Sequence, residues 1–284
     1  DNVFQDFTSP TLLGFSLNIE DGQLLLTFDE AVNITTIMES LITLQNVADL
    51  TSSSSPITLS LTNSTAVQAV SNTLTIALSN IDLDAIKVSD SFSSDANATF
   101  VSFPSDLGSD YNGNPINGVS NQTARGASSI TLDVSPPTLQ AFTINLNTGT
   151  LFLSFNEPIN VSNITYDAIR LLSGPDSTNF VILSTGNVTS DNARMFTITL
   201  DNDNLNAIKA NSILGLSAAT TFIAFEAGAF TDTRGNPIEA ISVSSPRQAD
   251  SLISDTSPPV LVSFDFSMDG GTLPLYIVLH FDEA

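Results

Sequence analysis

The sequence predicts an all-β protein made of tandem β-sandwich repeats, the last of them incomplete. Three observations carry this. The chain repeats itself, its apolar residues alternate over short runs separated by turn residues, and its polar surface is built from small neutral side chains. The repetition is read in matched blocks. Phe28-Asp29-Glu30-Ala31 returns as Phe155-Asn156-Glu157-Pro158 and again as Phe281-Asp282-Glu283-Ala284. Leu83-Asp84-Ala85-Ile86-Lys87 returns as Leu205-Asn206-Ala207-Ile208-Lys209, and Asp110-Tyr111-Asn112-Gly113-Asn114-Pro115 as Asp232-Thr233-Arg234-Gly235-Asn236-Pro237. Matched blocks in constant order identify a repeat architecture before any other feature is read. Pairing Ser9-Pro10-Thr11 with Ser135-Pro136-Pro137 and Ser257-Pro258-Pro259 divides the chain into a linker segment 1–8, repeats at 9–134 and 135–256, and the first two strands of a third at 257–284.

Each repeat opens with a hairpin. Thr11 to Ile19 and Gln23 to Phe28 flank Glu20-Asp21-Gly22, and Leu139 to Leu146 and Thr150 to Phe155 flank Asn147-Thr148-Gly149. Val260 to Phe266 and Leu273 to Phe281 flank Asp269-Gly270-Gly271. Glycine supplies the positive φ such turns need. Further strands are expected at Ile57–Leu61, Leu74–Leu78, Phe100–Phe103, Phe180–Leu183, Phe196–Leu200 and Phe222–Phe225. Leu74-Thr75-Ile76-Ala77-Leu78 alternates as a half-buried strand should. Asp82 to Lys87 and Asn204 to Lys209 begin with capping residues and read as one helical turn per repeat. Some seven short strands in a domain of this size read as an immunoglobulin-like sandwich.

Composition limits the partners. Hydrophobic residues make up 42% and charged residues only 13%, so 38 Ser, 31 Thr and 25 Asn must cover the surface. The net charge is −23 with seven Lys and Arg, which excludes nucleic acid and anionic membrane as partners, since both need clustered cations. Cations, Ca²⁺ above all, are the favoured counterions, although self-repulsion for solubility is the preferred reading of the net charge taken alone. With no Cys, disulfides and thiolate chemistry have no material, and with one His, His280, Ser-His machinery has one possible site, in the unfinished repeat; the chain is read as not an enzyme. No apolar run approaches the roughly 20 residues of a membrane span.

The sequence motifs Asp-x-Ser-Pro-Pro, Phe-x-Glu-Pro-Ile and Thr-Asp-x-x-Gly-Asn-Pro-Ile resemble the tandem Ig-like repeats of bacterial surface-layer and adhesin proteins and of extracellular fibre proteins of aquatic microbes. The second repeat carries the match best, through Asp133, Phe155, Glu157, Pro158, Ile159, Thr231, Asp232, Gly235, Asn236 and Pro237. The first departs from it at Thr11 and Ala31. The resemblance implies an extracellular or cell-surface protein that serves as a fibre, filament or stalk segment; the alternative is an adhesive, Ca²⁺-dependent module for glycan or protein ligands. It also places the linker, the second strand's end and the last loop at one pole. That gathers Asp133, Glu157 and Asp232 in one repeat, Asp6, Glu30 and Asp110 in another, and Asp255, Asp282 and Glu283 in the third. Such a cluster is a candidate Ca²⁺ site; the competing reading is that these carboxylates accept backbone N–H bonds and hold loops.

Seven N-glycosylation sequons occur, at Asn33, Asn63, Asn97, Asn121, Asn160, Asn163 and Asn187. Composition alone yields about six, so position and not number is the informative property. They are candidates for N-linked glycans if the chain is secreted by a eukaryote. The third repeat, at 28 residues, cannot bury a core. It is expected either to continue or to be completed by strands of another copy, which makes the chain itself the expected partner, head to tail.

Overall fold

The computed structural model describes residues 5–70, 72–89, 91–92, 96–192, 194–267 and 276–283. The chain divides into two compact units, 1–135 and 136–284. In the first, β1 (Leu12–Asn18), β2 (Gln23–Phe28), β3 (Thr43–Gln45), β4 (Thr58–Ser60), β5 (Thr65–Val70) and β6 (Thr73–Ala77) precede α1 (Asn80–Val88); β7 (Phe100–Ser102), β8 (Arg125–Gly126) and β9 (Ser129–Thr131) follow it. In the second, β10 (Leu139–Asn145), β11 (Thr150–Phe155), β12 (Ile169–Leu172), β13 (Phe180–Ile182), β14 (Gly186–Asn192) and β15 (Met195–Leu200) precede α2 (Asn202–Lys209), with β16 (Phe222–Phe225), β17 (Arg247–Gln248) and β18 (Ser251–Ile253) after it. A last hairpin consists of β19 (Leu261–Ser267) and β20 (Tyr276–Phe281). The turn expected at Asp269-Gly270-Gly271 and the start of the strand expected from Leu273 lie outside the described residues.

The two units share one topology. One sheet runs β5-β6-β2-β1-β9 and the other β4-β3-β7-β8; the second unit repeats this as β14-β15-β11-β10-β18 and β13-β12-β16-β17. These orders match the D-E-B-A and C′-C-F-G sheets of an immunoglobulin-like sandwich, with a helix added between E and F. The last strand is broken into two pieces: β8 stays antiparallel to β7, while β9 crosses to pair parallel with β1. Each sandwich has its own core. Phe15, Leu26 and Leu74 from one sheet join Leu44 and Val101 from the other, and Phe142, Leu153 and Phe196 join Leu171 and Ile223.

Local chemistry explains the elements. β2 and β11 bury every second residue, Leu24, Leu26 and Phe28 in one and Leu151, Leu153 and Phe155 in the other. β1 breaks that alternation because a bulge lies between Leu12 and Gly14; β10 has the same bulge between Leu139 and Ala141, and β19 between Leu261 and Ser263. The bulged residue is anchored alike in both units, by Arg125 Nη2 donating to the Leu13 carbonyl and Arg247 Nη2 to that of Gln140. Ser79 caps α1 by accepting from Asp82 N–H at 3.1 Å, and Asp201 caps α2 by accepting from Asn204 N–H at 2.7 Å. The buried Asp82 carboxylate in turn accepts from Thr62 N–H, Thr62 Oγ1 and Ser64 Oγ, which ties the helix to the β4–β5 connection. Burial works to raise this carboxyl's pKa; bonds from Ser64 and Thr62 outweigh it and hold it below the usual value.

The register also moves the front of the first repeat by one residue. Thr11, Thr138 and Val260 each exchange bonds with the residue after the strand-ending Phe: their N–H groups donate to Asp29, Asn156 and Asp282 at 2.7, 2.6 and 2.7 Å. Pro10 therefore corresponds to Pro137 and Pro259, and Thr8, not Ser9, to Ser135 and Ser257. The third hairpin reproduces the pattern without a covering: Phe264, Phe266, Leu279 and Phe281, which correspond to buried residues of the first two hairpins, are 63%, 53%, 52% and 49% exposed.

Candidate functional site

The segment leaving each unit is fastened back to the unit it leaves. In the first, Lys87 at the end of α1 places Nζ 2.7 Å from Asp133 Oδ2, with side chains only 8% and 2% exposed. Glu20, in the β1–β2 turn, accepts from Val134 N–H at 2.8 Å and from Ser135 Oγ. Those two bonds, Ser135's first, lower the Glu20 carboxyl below its usual pKa. In the second unit, Lys209 at the end of α2 lies 2.8 Å from Asp255 Oδ2. The matching turn residue, Asn147, accepts from Thr256 N–H and Oγ1 and from Ser257 Oγ. A helix-end lysine and a hairpin-turn acceptor thus hold each linker at the same two points.

Lys209 also pairs with Glu283, just beyond β20. Burial alone would lower the Lys209 pKa; the hydrogen bonds it donates to Asp255 and Glu283 outweigh it and raise the pKa above the usual value. Asp255 is lowered, first by its bond with Lys209 and then by that from Ser257 N–H.

The acidic positions sort as follows. Asp6, Glu30 and Asp110 come together, each with a carboxylate oxygen within 4.8 Å of the others. Thr8 donates to Asp6 through N–H at 2.9 Å and through Oγ1 at 2.6 Å, which lowers the Asp6 pKa, and Oγ1 also lies 3.3 Å from Glu30 Oε2. Glu30 is raised above the usual carboxylate value by burial and then by the charge of Asp6, with Asp110 adding to it. Asp110 accepts from Asn112 N–H, Asn114 N–H and Asn114 Nδ2 at 2.8, 2.7 and 2.8 Å, and these bonds outweigh burial to hold it low. Asp232 holds the matching loop through Arg234 N–H, Asn236 N–H and Asn236 Nδ2 at 2.8, 2.8 and 2.7 Å. In both loops a glycine sits at positive φ, Gly113 at 89° and Gly235 at 90°, as the side-chain-nucleated turn requires. Glu157 and Asp232 are buried in the second unit; Asp133 belongs to the first, on Lys87. Of the sequon asparagines, Asn63, Asn97, Asn121, Asn160, Asn163 and Asn187 are exposed. Asn33 is half-buried and caps a short 3-10 turn by accepting from Thr35. His280 pairs across the last hairpin with Asp265 at 2.7 Å.

Sequence reasoning passed over the two lysines as site residues. The available signal was scarcity: of seven cations, Lys87 with Lys209 and Arg125 with Arg247 recur in matched places.

The site and fold define a tandem all-β sandwich protein whose units share one linker fastening. No family model matches the chain, and none of the curated proteins matches it. Solved structures similar to it include the N-terminal part of the bacterial S-layer protein SbsC, at 14% identity and a TM-score of 0.29 over 46% of this chain and 26% of that one. The longer S-layer protein rSbsC(31-844) gives 14% identity and a TM-score of 0.29 over 47% of this chain and 15% of that one. FdeC, an Escherichia coli adhesin, gives 11% identity and a TM-score of 0.22 over 100% of this chain and 76% of that one. The chain thus spans about a quarter or less of the two S-layer chains.

Proposed function

We propose that this is a non-enzymatic structural protein of the cell surface or extracellular space, a segment of a fibre, filament or stalk built from head-to-tail repeats. The observation that carries this reading is the repeated linker fastening. A linker tied at Lys87 and Glu20, or at Lys209 and Asn147, is bound back to its own repeat at two points. Load-bearing arrays need that property, whereas flexible tethers use Gly- and Ser-rich linkers without such bonds. The third hairpin fits the same reading: strands of the same type complete it, supplied in line or by a neighbouring molecule. Electron microscopy of the native material tests this. Unbranched fibres of uniform width, with density completing the third sandwich, are expected; isolated particles of two sandwiches would overturn it.

A second reading, an adhesive module dependent on Ca²⁺, is favoured by the gathering of Asp6, Glu30 and Asp110. Three carboxylates supply part of the about six to eight oxygens that Ca²⁺ takes. Under this reading millimolar Ca²⁺ raises the thermal midpoint of the first unit and chelator reverses the rise. Identical midpoints in Ca²⁺ and in chelator reject it.

A further inference from the structure

Lys209 joins two successive repeats. Its ammonium is shared between Asp255, in the linker, and Glu283, in the first hairpin of the following repeat, with the lysine side chain only 8% exposed. An ammonium has three donors, enough to serve both carboxylates.

The front of the first unit has the same arrangement of acceptors. Ser257 N–H donates to Asp255 Oδ1 at 3.0 Å, as Thr8 N–H donates to Asp6 Oδ1 at 2.9 Å. Val260 N–H donates to Asp282 Oδ1, as Thr11 N–H does to Asp29 Oδ1, both at 2.7 Å. Through these bonds Asp6 corresponds to Asp255, and Glu30 to Glu283. At the rear pair a lysine lies between the carboxylates. At the front pair, among the described residues, no lysine or arginine forms an ion pair with Asp6 or Glu30. The Asp110 carboxylate oxygens accept three bonds from their own loop, so this third acid adds charge more than it adds a free ligand.

We propose that Asp6 and Glu30 form a socket for the ammonium of a helix-end lysine, the counterpart of Lys209, carried by a repeat of this same type docked at the front of the first unit. This rests on the head-to-tail reading and names its partner group. Lys87 and Lys209 are already engaged by Asp133, Asp255 and Glu283, so the lysine is that of a further repeat placed ahead of the first unit in the same chain, and Ca²⁺ is its rival for the same pole.

The test is a chain extended at its front by a second copy of 136–254, joined so that the added Ser254 runs into Asp6. In this chain Lys209→Met in the added copy, Glu30→Gln, and the two together form a double-mutant cycle read by thermal unfolding. Each single change is expected to lower the midpoint by about 2–4 °C. The pair together should lower it no further than one alone. In the unextended chain Glu30→Gln should leave the midpoint unchanged or raise it, since only like-charge repulsion is removed. Additive effects in the cycle, or single changes without effect, overturn the socket. So does a Ca²⁺-induced rise in the unextended chain combined with no coupling to the added lysine. Sedimentation of the unextended chain checks the source: a monomer is expected, and association abolished by Glu30→Gln would overturn a lysine supplied within the chain. Fibres seen with an additive cycle would sink the socket alone; isolated particles with a coupled cycle would sink the fibre reading alone.

Discussion

Replacing Lys87 with methionine should cost the first unit about 3–5 kcal/mol of folding stability, the range for removing one partner of a buried ion pair. Methionine keeps much of the apolar stem, so the loss is the ammonium itself. Asp133, whose side chain is 2% exposed, would be left buried without the cation 2.7 Å away. The double change Lys87→Met with Asp133→Leu should recover most of the loss, because the pair's desolvation cost goes with its attraction. Urea unfolding of the single and double variants measures both. A single-variant loss under about 1 kcal/mol is what exposed pairs give, and would mean that the linker is not held by this lysine.

Phe230→Ala should cost the second unit a similar amount, about 3–5 kcal/mol. Phe230 is fully buried, and its ring lies 5.4 Å from Phe155, 6.0 Å from Phe196 and 5.5 Å edge-on from Phe225. Truncation therefore opens a cavity among three rings, none of which can follow it without leaving its own strand position. The first unit has Gly108 at the corresponding place, where an added Cβ would meet Ile37 Cδ1 at 2.7 Å. That sandwich has filled the space from another direction, so one backbone topology carries two different core packings. Unfolding monitored on the second unit decides the point. A cost under about 1.5 kcal/mol would mean that the aromatic cluster is not the centre of that core.

The hairpins were legible because three signals agree: alternation over Gln23–Phe28 and Thr150–Phe155, a glycine turn, and recurrence. Both helices were legible from the repeated apolar pair, but their caps, Ser79 and Asp201, lie one turn before the capping residues read at Asp82 and Asn204. What escaped reading is made by tertiary pairing. β14 has the sequence Gly-Asn-Val-Thr-Ser-Asp-Asn, which reads as a turn and is a strand because β15 pairs along it. β3, three residues long, is too short to show a period. β9 and β18 pair with strands more than 100 residues earlier, a relation that no local window contains. The one-residue register of Pro10 needed the backbone bonds of Thr11, since Ser9-Pro10 imitates Ser135-Pro136. In the site, the carboxylates were visible as recurring acids. The loop-holding given as the competing reading is the work of Asp110 and Asp232, whereas the lysines that Asp133 and Asp255 receive were not read.

The parallel pairing of β1 with β9 has a consequence for synthesis. A repeat's first strand cannot gain its second neighbour until the last strand has been made, residue 129 for a strand begun at residue 12. As the chain emerges, every repeat passes through a stage in which its opening hairpin exists with its apolar side uncovered, as β19 and β20 are here. At that stage the finished neighbour just upstream offers strands of nearly the same pattern, and exchange of hairpins between adjacent repeats is the characteristic error of such arrays. The divergence of the two cores, Leu74 and Gly108 against Phe196 and Phe230, works against that error: a hairpin that enters the wrong sandwich meets a core shaped for the other.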